Sequence, residues 1–115
     1  MRLELRLQEE TVAPGGDVVG HVLVQEGGAT RGLRVTVSLS ERSPAFRATA
    51  FSAGGVIHEG DLRTGQEVAF RCGIPRWAAP GVKGKNGELV WEVEAVADVA
   101  GRPDARAARV LDVRR

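Results

Sequence analysis

The sequence predicts an all-β protein, an antiparallel β-sandwich of about eight strands, and three observations carry that reading. The first is a ladder near the C-terminus, Glu88 to Val99, in which apolar residues hold every odd position and acidic residues stand between them. Alternation with a period of two means a strand with one dry and one wet face. The second is that no long window shows the three-four apolar spacing of an amphipathic helix. The third is a succession of short alternating runs separated by glycine and proline, the punctuation of hairpins and sandwich corners.

Taken in order, the first strand is Arg2 to Leu7, with Leu3, Leu5 and Leu7 inward and Arg2, Glu4 and Arg6 outward. The turn Ala13-Pro14-Gly15-Gly16-Asp17 follows; Pro14 presets its backbone and the glycines accept positive φ. The second strand, Val18 to Gln25, is apolar on both faces, with Val18, Val22 and Val24 on one and Val19 and Leu23 on the other. After Gly27-Gly28-Ala29-Thr30 comes a cleanly alternating third strand, Leu33 to Glu41, broken at Arg42-Ser43-Pro44. A weaker strand spans Phe46 to Phe51, Gly54-Gly55 reads as a turn, and a short strand runs from Val56 to Glu59. Beyond the loop Gly60 to Gly65, Gln66 to Ile74 forms the next strand. The long connection Pro75 to Gly87 suggests a crossover between sheets, and a closed barrel is the alternative architecture. The ladder turns at Gly101 to Asp104 into its hairpin partner, Ala107 to Val113. Phase assigns Leu3, Leu5, Leu7, Val18, Val22, Leu33, Val35, Val37, Leu39, Phe46, Val68, Phe70, Trp91, Val93, Ala95, Leu111 and Val113 to the core.

At 115 residues and 43% apolar composition the chain is expected to form a single domain, residues 1–115, with a modest core. A formal charge of +1 lacks the basic excess of a dedicated nucleic-acid binder. Met1 to Leu7 alternates charge with leucine and has no signal-peptide apolar run, and no stretch is long enough to cross a bilayer. The expectation is a cytoplasmic protein without membrane insertion. Cys72 is the lone cysteine, which excludes an internal disulfide; in phase with Val68 and Phe70, it reads as a small buried core residue.

No cluster of residues points to a reaction. His21 and His58 fall on separate strands without a partner at ligand spacing, so no metal or other cofactor is expected. Glu92 and Glu94 share one face of the ladder, a spacing compatible with paired catalytic carboxylates. A solvated sheet face carries such charges routinely, here opposite Arg106 or another cross-strand arginine. Asp98 and Asp104 flank a turn and are expected to satisfy its amides, with calcium the alternative. The run Gly81 to Gly87 lacks phosphate-loop spacing and precedes a strand, whereas a phosphate loop opens a helix. The serines lack a glycine-flanked nucleophile elbow. Trp77, in the loop after Pro75, is either a binding anchor or a lid over one end of the sandwich.

Several segments resemble a known family in the right order along nearly the whole chain. Pro14-Gly15-Gly16-Asp17-Val18-Val19-Gly20-His21-Val22 is similar to the turn and strand that open many arrestin-type domains, and Arg31 to Val37 resembles the strand that follows. Phe70-Arg71-Cys72-Gly73-Ile74-Pro75 resembles that family's aromatic strand with its apolar-proline ending. Val90 to Ala95, then Asp98 to Asp104 and a closing strand, resembles its last hairpin. The pattern is nearest the bacterial sporulation-control proteins of the arrestin-like group. The resemblance implies an immunoglobulin-like sandwich acting as a non-enzymatic adaptor or scaffold. Members usually carry two sandwiches in tandem and this chain one, so no interdomain switch and no functional residue carries over. A protein partner, or a second copy of the chain meeting Val19 and Leu23, is the expectation. The competing reading is a small-molecule or carbohydrate site built on Trp77 and the loop 75–87.

Overall fold

The computed structural model describes all 115 residues, Met1–Arg115. Nine strands follow in chain order: β1 (Arg2–Leu7), β2 (Thr11–Val12), β3 (Asp17–Glu26), β4 (Gly32–Ser43), β5 (Phe46–Glu59), β6 (Glu67–Gly73), β7 (Val82–Lys83), β8 (Glu88–Asp98) and β9 (Ala105–Val113). They form two sheets, one ordered β1-β3-β6 and a larger one ordered β2-β9-β8-β4-β5, with β7 added alongside β8. Every pairing is antiparallel except that of β2 with β9. The expected sandwich is therefore present, not the barrel. The hairpins are β4–β5, β7–β8 and β8–β9; the connection 75–87 crosses between sheets as its length suggested, and so does the shorter loop from Gly60 to Gln66.

The core follows from the register of the two central strands. Leu33, Val35, Val37 and Leu39 of β4 lie opposite Ala97, Ala95, Val93 and Trp91 of β8. Two strands in step thus present one continuous apolar face, all of it buried. Leu3 and Leu5 of β1, Val18, Val22 and Val24 of β3, and Phe70 of β6 cover that face from the smaller sheet. Each such side chain removed from water contributes roughly 1.5–3 kcal/mol.

The structure corrects the sequence reading at identifiable places. Gly54-Gly55 is not a turn: the two expected strands on either side are one continuous β5, and two short strands, β2 and β7, bring the total to nine. Its register against β4 slips twice, leaving Ala50 and Ile57 without a direct partner. Gly54 sits at φ +151°, and a Cβ there would lie 2.1 Å from the Val35 carbonyl oxygen. Only glycine allows this backbone to press so closely on β4. Phe46 is not core but 52% exposed, because the two-residue turn Pro44-Ala45 carries the start of β5 beyond the reach of the smaller sheet. Leu7 and Val68 are half-buried near strand ends. Val12, Leu62 and Ala78 are buried although no alternating run announces them, while Ile74 continues the alternation of Val68, Phe70 and Cys72 just past the end of β6; Leu62, Ile74 and Ala78 lie in connections that cap the ends of the sandwich.

Candidate interaction surface

The residues singled out for chemistry are dispersed. Glu92 faces Arg42 at 3.5 Å and Glu94 faces Arg106 at 3.2 Å, so both carboxylates of the ladder are held by cross-strand arginines. Asp98 accepts a 2.8 Å hydrogen bond from Arg31, and Asp104 lies 3.9 Å from Arg106. These two aspartates engage arginine side chains, where the sequence suggested turn amides. The hydrogen bond and charge of Asp98 raise the Arg31 pKa and keep it firmly protonated. His21 stands on β3 in the smaller sheet, with Nε2 3.8 Å from Glu67. His58 stands on β5 in the larger one, bonded through Nε2 to the Asp61 carbonyl at 3.0 Å.

The two sheets meet differently along their two sides. On one side β1 packs beside β9, closed further by β2 and by the ion pair of Arg109 with Glu10. On the other side the edge strands β5 and β6 leave a groove of about 350 Å³. Val35 and residues 53–57 line it from the larger sheet, and Arg71, Cys72 and Gly73 from the smaller. Cys72 therefore lies at a groove rim, half-buried against the core instead of enclosed by it. Desolvation there pushes its thiol pKa up, which disfavours the reactive thiolate.

An aromatic column rises beside this groove. Trp91 is fully buried and donates its indole N–H to the Ala79 carbonyl at 2.7 Å. Phe51 of β5 packs on Trp91 with ring centroids 6.0 Å apart, and Trp77 meets Phe51 edge-on at 5.3 Å. Trp77 remains 60% exposed. It is thus lid and exposed aromatic at once, held in place by a loop that the core tryptophan anchors. Phe46 and Val56, both on β5, are also exposed.

Val19 and Leu23 lie elsewhere, on the outer face of the smaller sheet. Leu23 sits between Glu4 on β1 and Glu67 on β6, and Val19 lies opposite Arg71. Both are half-buried. The structure does not bring them together with Trp77, which packs against the larger sheet.

What sequence reasoning missed is the β5 edge. Natural edge strands are usually guarded by charge, proline or brevity. β5 spans 14 residues, and from Ala48 to Ile57 it carries neither charge nor proline. That gap in the charge pattern was legible, but reading Gly54-Gly55 as a turn cut the strand in two and hid it.

No protein-family model and no curated protein sequence matches this chain. Among solved structures it is similar to the sporulation control protein Spo0M of Bacillus subtilis, with a TM-score of 0.71 and 17% sequence identity. The match covers 97% of this chain and 48% of Spo0M, so the chain spans about half the length of that protein. The segments that resembled arrestin-type strands fall, in chain order, on β3, β4, β6, β8 and β9, and the chain has the arrestin-like β-sandwich fold.

Proposed function

We propose that this protein is a non-enzymatic interaction module that binds a protein partner through the exposed apolar surface along β5 and Trp77. The observation that carries the reading is the long unpaired edge of β5, uncharged from Ala48 to Ile57, with exposed apolar side chains spaced along it. Of the five large apolar residues with high exposure, Phe46 and Val56 belong to β5 and Trp77 meets its Phe51 edge-on. An unpaired, unguarded strand edge is a ready template for a partner's extended segment, and apolar side chains along it add contact area. Val19 and Leu23 form a second, smaller candidate patch on the other sheet. Spo0M is described as a sporulation control protein, which fits a regulatory role without a reaction. No helix here is long and apolar enough to cross a membrane, and we place the module in the cytoplasm.

The alternative of a small-molecule site has less support. Beside the loop 75–87 there are only open hollows of about 250 and 320 Å³, and Trp77 lines neither; a depression of about 500 Å³ on the outer face of the larger sheet lies away from that loop and has only three hydrophobic residues among its twelve lining residues. Ligand pockets are mostly apolar with a few polar groups, and here the arginines and acids largely satisfy one another. Affinity capture with the full chain as bait tests the reading: wild type should retain a protein that Trp77→Ala loses. Glycan and metabolite screens run in parallel should be empty. Saturable small-molecule binding lost in Trp77→Ala, with no protein retained, would overturn it.

A further inference from the structure

We propose that the occupant of the β5 edge is a second copy of this chain, paired antiparallel to β5 across a two-fold axis near Ala53. This rests on the interaction-module reading and supplies its partner. Antiparallel self-pairing joins residues whose numbers have a constant sum. With Ala53 on the axis, Arg47 of one copy meets Glu59 of the other, and by symmetry the contact occurs twice.

Three features favour this register. First, Arg47 lies opposite Arg42, and Glu59 lies opposite Gly32, on the face of β4 that carries Arg34 and Thr36. Both charges therefore stand on the same outer face, as a cross-strand pair requires. Second, each is unsatisfied within its own chain: neither takes part in any ion pair. Arg47 instead faces Arg42, a like charge whose carboxylate partner is Glu92. An acidic residue arriving on the free side of β5 would relieve it. Third, the two unpartnered residues Ala50 and Ile57 flank a regular stretch, Phe51 to Val56, that straddles the axis. Within it Phe51 would cover the Gly55 position of the partner, where a Cβ would meet nothing within 4 Å. An aromatic ring over an edge glycine is a known device for pinning register.

The test is sedimentation velocity on the full chain up to about 100 µM, the range in which a weak edge-paired dimer is populated. Wild type should sediment as a dimer. Arg47→Glu or Glu59→Arg places like charges opposite each other twice per dimer and should weaken association about tenfold. An equimolar mixture of the two variants should recover a heterodimer, since each then supplies what the other lacks. The double variant Arg47→Glu/Glu59→Arg should recover a homodimer. Far-UV circular dichroism confirms that each variant is folded. A wild type that stays monomeric, or single variants that dimerise as wild type does, overturns the inference. A monomer that still retains a foreign protein through Trp77 removes self-pairing and leaves the interaction reading standing.

Discussion

Trp91 offers the sharpest test of how the core is built, because one side chain joins three parts of the structure. Its ring is wholly buried, its N–H holds the Ala79 carbonyl at 2.7 Å, and Phe51 transmits its packing to Trp77. Trp91→Ala removes the ring and leaves a cavity between β8 and the smaller sheet, at a cost of about 3–5 kcal/mol. Trp91→Phe keeps an aromatic ring but loses the hydrogen bond, a net effect of about 0.5–1.5 kcal/mol. The smaller ring adds about 1 kcal/mol of lost packing. The phenylalanine variant should therefore fall about 2 kcal/mol below wild type. Urea denaturation followed by far-UV circular dichroism measures both. Each variant retains Trp77 as its sole tryptophan, so fluorescence reports the loop separately. Emission from Trp77 should shift to the red in Trp91→Phe under native conditions, because the loop has lost its anchor. An alanine variant that loses less than about 1 kcal/mol would refute the assignment of Trp91 to the centre of the core. An unshifted Trp77 in the phenylalanine variant would refute the anchoring role of its N–H.

Two further predictions concern the open side of the sandwich. Gly54→Ala should cost about 2–4 kcal/mol in thermal denaturation, because φ and the Val35 carbonyl both oppose a side chain. Gly55→Ala, with nothing within 4 Å of the new methyl group, should change stability by less than about 0.5 kcal/mol. The Cys72 thiol, its pKa raised by desolvation, should be alkylated with a pH midpoint above the ordinary value of about 8.5. The same shift makes the folded state hold its proton more tightly than the unfolded chain. Its contribution to stability is complete below the unfolded pKa and is lost as pH rises through the folded one. Cys72→Ser should flatten that alkaline decline.

Period-two patterning determined a great deal of this protein. The inward columns of β4 and β8 could be read from residues 33 to 39 and 91 to 97 because each strand has one wet and one dry face, and side chains that alternate in sequence alternate in space. The pairing of ladder carboxylates with cross-strand arginines was legible for the same reason. The buried caps Leu62 and Ala78 were not, because residues in connections are buried by whatever lies above them and leave no period behind. Nor was the fate of Gly54-Gly55, since a glycine pair suits a turn and a strand pressed tightly on its neighbour equally well; contact with the Val35 carbonyl chose between them. Tertiary structure alone decided which strands became edges. Strand order depends on long-range pairing, and only that order turned an unremarkable uncharged run, Ala48 to Ile57, into an unguarded edge with a free arginine near one end and a free glutamate at the other.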